Sequence, residues 1–118
     1  MKRIYVAGSY SADNVLDVLK NIGRGESYCA KLFMMGFAPF NPWADREYVF
    51  QNWDKEFTVE MFYDYSIKWL EVSDAVFLVP GWNSSKGVAL ELKKAEELHI
   101  PIFMDFESLL QWGRENKQ

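Results

Sequence analysis

A continuous apolar run in the second half of the chain, Ala75 to Val79, limits the folds that this sequence can adopt. The run follows Asp74 and is followed by the turn residues Pro80 and Gly81. A strand that is apolar at every position, rather than at alternate positions, is typical of a parallel sheet covered by helices on both faces. We therefore predict that residues 75–79 form a central strand of such a sheet.

The remaining segments alternate between strand and helix patterns. Strands are predicted at residues 2–7, 37–40 and 101–104, and Pro39 places the second of these at a sheet edge. Helical periodicity is found at residues 15–22, 28–35, 58–72, 84–99 and 107–114, with Gly23 and Gly25 expected to interrupt the first region. Residues 41–57 are predicted as a loop with short helical pieces. The pattern predicts one α/β domain over residues 1–118, with a doubly wound parallel sheet of about four to five strands.

In a sheet of this kind, ligands bind beyond the carboxyl ends of the strands, where the strand order reverses. The two turns expected to meet there are Gly8-Ser9-Tyr10 and the segment from Pro80 to Gly87. Free amides at the start of a helix, together with serine hydroxyls, favour an anionic or polyhydroxylated ligand. A second interpretation stays open, in which Ser84 and Ser85 only cap the helix.

Glu91 is a carboxylate on the apolar side of a predicted helix. At about 100° per residue, Val88, Leu92, Ala95 and Leu98 form the inward stripe, and Glu91 lies within it. A carboxylate that faces a core costs several kcal/mol unless it is paired, hydrogen-bonded or opened onto a cleft. The position therefore indicates either a buried structural ion pair or a functional site.

Composition excludes several classes of function. A net charge of −4 and a pI near 5.0 do not favour binding to duplex DNA or RNA. One Cys and one His make a zinc site improbable, and His99 is expected to cap a helix or contact solvent. The sequence contains neither GxGxxG nor GxxxxGK[ST], so we expect neither a dinucleotide cofactor nor a P-loop.

The expected compartment is the cytoplasm. Cys29 has no second cysteine with which to form an internal disulfide, and no signal peptide precedes the first strand. No apolar run approaches the roughly 18 residues that span a bilayer.

Three segments in order carry a resemblance to a known family: Ile4 to Ser9, Trp69 to Val76, and Ser85 to Leu92. They resemble the nucleoside 2-deoxyribosyltransferase superfamily, including its small deoxyribosyltransferase-like proteins, over residues 3–104. The Gly-Ser and Ser-x-Gly turns are also similar to those of the 2′-deoxynucleoside 5′-monophosphate N-glycosidases. The resemblance implies a Rossmann- or flavodoxin-like fold, a homo-oligomer, and cleavage of the N-glycosidic bond of a deoxynucleoside or its monophosphate, without a metal or cofactor.

The resemblance also assigns roles to individual residues. Gly87 to Glu91 matches the G-x-x-x-E pattern whose glutamate attacks the anomeric carbon, so Glu91 becomes the expected nucleophile, with Tyr5 or Tyr10 near the sugar or the nucleophile. An aromatic face in the cleft, from Trp82, Trp43 or Trp53, is expected to stack on the base. The complete set of predicted binding residues is Gly8, Ser9, Tyr10, Trp82, Ser84, Ser85, Lys86 and Gly87.

One position departs from the family pattern. Ser66 occupies the place of an aspartate that serves the departing base, and it shares the inward face of its helix with Phe62. Protonation of the base then depends on Asp45, Asp54, Glu56 or water. For this reason, a nucleotide-binding module without turnover stays open as a second function. The many aromatic residues leave a third open, a structural or interaction protein that uses them for assembly.

Overall fold

The computed structural model describes residues 1–117, and Gln118, the last residue of the predicted domain, lies outside the described residues. The strands are β1 (Arg3–Ala7), β2 (Ala38–Phe40), β3 (Ala75–Leu78) and β4 (Ile102–Phe103). The α-helices are α1 (Val15–Met34), α2 (Arg46–Gln51), α3 (Val59–Leu70), α4 (Lys86–Glu97) and α5 (Phe106–Glu115). Short 3₁₀ helices cover Pro42–Asp45 and Trp82–Ser84. The predicted α/β class is confirmed.

The four strands form one parallel sheet in the order β2-β1-β3-β4. Strand β3 is central and buried at all four positions, as its continuous apolar sequence predicts. Strand β2 lies at the edge, as Pro39 requires. The connection through α1 leads from β1 to one side, and the connection through α4 leads from β3 to the other side. The strand order therefore reverses between β1 and β3, which is where a ligand site is expected.

Alternate side chains of β1 point to opposite faces of the sheet and pack in two different hydrophobic clusters. Ile4 and Val6 pack in the cluster that includes Cys29 and Leu32 of α1 and Leu109 of α5. Tyr5 and Ala7 belong to the opposite cluster, with residues from α3 and α4. This alternation directs the Tyr5 ring toward the face that carries α4.

Helix α4 begins two residues after the start and ends two residues before the end of its predicted range, 84–99. Ser85 is its N-cap and accepts a hydrogen bond from the Val88 amide at 3.2 Å, whereas Ser84 closes the preceding 3₁₀ turn. The helix ends in a Schellman turn, in which His99 has φ 58° and the Ile100 amide donates to the Ala95 carbonyl at 2.9 Å. The predicted capping role of His99 is confirmed. Leu98, predicted on the inward stripe, is instead the C-cap residue and is 40 % exposed.

The first helical region is one helix of 20 residues, so the predicted interruption at Gly23 and Gly25 is wrong. Gly25 is buried because the indole of Trp43 packs directly on its Cα. A Cβ placed there would lie 2.3 Å from the ring. Gly25 thus permits a close approach of two elements rather than a break in the helix.

Gly25→Ala is expected to destabilise the domain by about 1–3 kcal/mol, because the buried indole cannot move away without disturbing the core. Gly23 is a matched control in the same helix, since a Cβ there meets no atom within 4 Å. Gly23→Ala should instead stabilise the domain by about 0.5–1 kcal/mol through helix propensity. Urea unfolding of both variants measures the difference, and a Gly25→Ala variant as stable as Gly23→Ala would contradict the packing argument.

No helix within residues 1–117 combines the length and apolar character that crossing a membrane requires.

Candidate active site

An open cleft of about 830 Å³ lies at the carboxyl ends of β1 and β3, where the strand order reverses. This volume is within the range of small-molecule sites in proteins. The turns after the two strands, the start of α4 and the inner face of α3 supply most of its wall. Predicted residues in this wall are Gly8, Tyr10, Ser66, Ser84, Ser85, Lys86, Gly87 and Glu91.

Glu91 is partly buried in the wall of this cleft, one turn into α4 from Gly87. The hydroxyl of Tyr5 donates a hydrogen bond to its Oε2 atom. Tyr5 itself is fully buried, so its ring is fixed and only its hydroxyl reaches the site. The resemblance implies that Tyr5 or Tyr10 lies near the sugar or the nucleophile, and Tyr5 is the one that contacts Glu91 directly.

Burial raises the pKa of the Glu91 carboxyl from 4.5 to about 7, and the hydrogen bond from Tyr5 opposes part of that rise. Burial is also the largest cause that raises the pKa of Tyr5 well above 10.0, followed by the charge of Glu91. Tyr5 therefore stays protonated and donates to Glu91 at every pH that matters for a folded protein. Glu91 changes its charge near neutral pH.

The alternative of a buried ion pair at Glu91 is wrong for the part of the chain that the structure describes. The salt bridges within residues 1–117 join Arg46 to Glu26, Lys55 to Asp54 and Lys68 to Glu71. Glu91 has a neutral phenol as its partner and an open cleft on its other side. A carboxylate retained in this position without a cation indicates a functional role.

Ser66 lies on the inner face of α3 and is 8 % exposed. It lines the cleft, and its hydroxyl is close enough to the Tyr5 phenol to lower the pKa of that phenol in part. Ser66 and Glu91 are therefore both neighbours of the Tyr5 hydroxyl. The helical-wheel prediction for Ser66 is confirmed, since the position faces the site and carries no acid.

The two turns contact each other through serine hydroxyls. Ser9 and Ser84 both donate to the carbonyl of Gly81, at 2.9 and 3.0 Å. Gly81 has φ 93°, a left-handed conformation that strongly favours glycine. The contact holds the start of α4 beside the end of β1, with Lys86 and Gly87 exposed toward the cleft.

The tryptophans do not form the predicted stacking surface. Trp82 packs against the core cluster around Tyr5 and does not line the cleft, and Trp53 is 83 % exposed outside it. Trp43 reaches the cleft only as a buried wall, where its indole N–H donates to the Ser9 carbonyl at 3.0 Å. Aromatic side chains that do line the cleft are Tyr10, Phe50, Phe62 and Tyr63.

Asp45 forms part of the wall, at the end of the 3₁₀ turn that follows β2. It is 8 % exposed, and burial raises the pKa of its carboxyl above 3.8, while Tyr10 and Arg46 lower it in part. Arg46 is held by Glu26 of α1 at 2.9 Å. By contrast, Asp54 and Glu56 are exposed and do not line the cleft. The nonperiodic sequence of residues 41–57 contains no signal that separates these acids.

Most of the chain matches one protein family. Residues 2–105 match the model of DUF7768, a domain of unknown function, which includes all four strands and Glu91. The chain belongs to the DUF7768 family. No curated protein matches the chain. The matched range of this DUF7768 domain ends just before α5.

Within residues 1–117 of this DUF7768 domain, no group of three or more His, Cys, Asp and Glu side chains is arranged to hold a metal ion.

Proposed function

We propose that this DUF7768 domain cleaves the N-glycosidic bond of a 2′-deoxynucleoside or its 5′-monophosphate, and passes the sugar to water or to another base. The observation that supports this proposal most strongly is the environment of the Glu91 carboxyl. Tyr5 holds it by a hydrogen bond, and no cation within residues 1–117 forms a salt bridge with it. It is open to a cleft at the point where the strand order reverses. The resemblance of three segments to deoxyribosyltransferases supplies the reaction class.

In this reaction, an oxygen of the ionised Glu91 attacks the anomeric carbon as the bond to the base breaks. The electron pair of that bond leaves with the base, and a glycosyl ester of Glu91 remains. Water or a second base then attacks the same carbon and releases Glu91. A carboxylate on a rigid helix suits both steps, because it loses little freedom when the sugar binds.

Tyr5 positions the nucleophile. Its hydroxyl donates to one oxygen of Glu91 and leaves the other oxygen to react. Since burial raises the Glu91 pKa to about 7, the protonated and the reactive ionised forms coexist near neutral pH. Without the hydrogen bond from Tyr5, the ionised fraction would be smaller.

The start of α4 is the proposed phosphate side of the cleft. The amide of Gly87, the hydroxyl of Ser84 and the ammonium group of Lys86 lie around the N-terminus of this helix, whose dipole favours an anion. Gly87 stands about one helical turn before Glu91. A 5′-phosphate at the start of the helix and an anomeric carbon at Glu91 would then belong to opposite ends of the same sugar. A homo-oligomer and a cytoplasmic location are parts of the same proposal.

The test is incubation of the purified domain with 2′-deoxynucleosides, their 5′-monophosphates and the matching ribonucleotides, followed by chromatography for free base. Release of base from at least one deoxy compound is the expected result. Absence of release from every compound, with and without an acceptor base, would overturn the proposal.

A second candidate function is nucleotide binding without turnover, and Ser66 is the observation that favours it, since an uncharged residue stands where the related enzymes carry an acid. Such a module would show a higher melting temperature with a deoxynucleotide and no free base. A ligand at 100 times its Kd adds about 2.7 kcal/mol to stability, which a thermal-shift assay detects readily.

A further inference from the structure

We propose that Asp45 is the catalytic acid of this site and donates a proton to the departing base, in place of the carboxyl that is absent at Ser66. This inference rests on the proposed function and deepens it. It assigns a second catalytic residue from a different segment of the chain, between β2 and α2.

Burial singles out Asp45 and Ser66 among the polar side chains. Among residues 1–117, Asp45 and Ser66 are the polar or charged residues that are buried, each with 8 % of its surface exposed. Both line the cleft that contains Glu91. A carboxyl group costs free energy when it is removed from water, and Tyr10 and Arg46 offset only part of that cost for Asp45. Its position on the wall of the cleft provides the reason for its retention.

Asp45 also lies within electrostatic reach of Tyr5, the hydrogen-bond partner of Glu91. Its charge contributes to the raised pKa of Tyr5, whose hydroxyl contacts Glu91. The neighbouring Arg46 is directed away by its bonds to Glu26 and to the Trp43 carbonyl, at 2.9 and 2.8 Å. Arg46 therefore anchors the turn beneath Asp45 without neutralising it fully.

The proton balance of the reaction is complete with these two carboxyls. As the bond between the anomeric carbon and the base nitrogen breaks, its electron pair goes to the base, and the base takes the Asp45 proton. Glu91 forms the new bond to carbon. In the second step, water gives its proton to the Asp45 carboxylate, its oxygen binds the anomeric carbon, and the ester bond to Glu91 breaks with its electrons returning to Glu91.

The site must therefore hold one proton, on Asp45, while Glu91 is charged. The groups around Asp45 are Tyr10 after β1, Tyr5 in β1, Tyr65 in α3, and Arg46 with its partner Glu26. The last proton leaves the carboxyl pair at or above the Glu91 pKa of about 7. A base that needs protonation is then released more slowly at alkaline pH, whereas an activated leaving group departs faster.

Two substrates with the same sugar test the assignment: 2′-deoxyadenosine, as nucleoside and 5′-monophosphate, and 4-nitrophenyl 2-deoxyribofuranoside, whose leaving group departs as an anion. Asp45→Asn should lower kcat/KM for deoxyadenosine compounds by about 100- to 10,000-fold and should change kcat/KM for nitrophenol release, which reports the first step alone, by less than about tenfold. Asp54→Asn is the matched control, since Asp54 is exposed outside the cleft, and it should leave both rates unchanged. Normal nitrophenol release also shows that the Asp45 variant is folded.

Rescue and pH dependence complete the test. Adding Ser66→Asp to the Asp45→Asn variant should raise kcat/KM for adenine release at least about tenfold above that of Asp45→Asn alone, because it returns an acid to the same cleft. Wild-type kcat/KM should fall with rising pH for deoxyadenosine compounds and rise through about pH 7 for the nitrophenyl substrate. Equal losses on both substrates in Asp45→Asn would overturn the assignment of Asp45 alone. A wild-type domain inactive on both would overturn the proposed function as well.

Discussion

Glu91→Gln should abolish base release, lowering kcat/KM by about 10,000-fold or more for both natural and activated substrates. Glutamine keeps the size of the side chain and still accepts the hydrogen bond from Tyr5, but its amide does not form a stable bond to the anomeric carbon. The loss extends to activated substrates because it affects bond formation rather than departure of the base. Steady-state kinetics with 2′-deoxyadenosine and the nitrophenyl glycoside measure it.

Glu96→Gln in the same helix is the matched control, because Glu96 is exposed and does not line the cleft. It should retain wild-type activity. A Glu91→Gln variant that keeps more than about a tenth of the wild-type rate would exclude Glu91 as the nucleophile. A loss confined to natural bases would instead assign Glu91 the role of an acid.

The same substitution should stabilise the domain at alkaline pH. The Glu91 pKa is about 7 in the folded chain against 4.5 as the ordinary value, so folding favours the protonated form. The free energy of unfolding is highest below the unfolded pKa and falls as the pH rises from about 4.5 to about 7. Above that window, the penalty of the buried charge is fully present at about 3 kcal/mol, and Gln removes it.

Thermal unfolding at two pH values tests this prediction without a substrate. At pH 8, Glu91→Gln should unfold about 10 °C above the wild type, and the two proteins should converge near pH 4, where Glu91 is protonated. Glu96→Gln again provides the control, with no such pH-dependent gain. Equal stability of Glu91→Gln and the wild type at pH 8 would show that the Glu91 charge is well solvated or paired.

Hydrophobic pattern predicted the architecture well where burial alone determines the structure. The apolar run at residues 75–79 gave the central strand, and Pro39 gave the edge strand, because both depend on the number of sheet faces and neighbours that a strand has. Periodicity in α3 and α4 placed Ser66 and Glu91 on inward faces. Both side chains line one cleft because the two helices pack on the same face of the sheet.

Contacts between distant segments were not predictable in the same way. Gly25 was expected to end a helix, since the sequence does not show that Trp43 would occupy the space above it. Trp82 was expected in the cleft but packs in the core, because aromatic side chains suit either environment. Asp45 could not be distinguished from Asp54 in a nonperiodic segment, and only the fold shows which of them is buried.

The raised pKa of Glu91, with no salt bridge to it within residues 1–117, means that its charge lowers the stability of the folded domain. Under the proposed function, this loss accompanies a reactive carboxylate. A structural glutamate would be expected to have acquired a cationic partner or to have been replaced by an apolar residue of similar size. The pair of predictions for Glu91→Gln, inactive and more stable at alkaline pH, separates these two cases.

Formation of a covalent bond between Glu91 and the sugar is the central claim, and trapping that bond tests it most directly. The wild-type domain is mixed with the nitrophenyl 2-deoxyriboside, quenched in acid and digested, and the peptides are analysed by mass spectrometry. We predict a mass increase of one deoxyribosyl group on the peptide that contains Glu91, which is absent from Glu91→Gln and lost on incubation with an acceptor base. Turnover with no modified peptide, or with the sugar on another residue, would contradict the account.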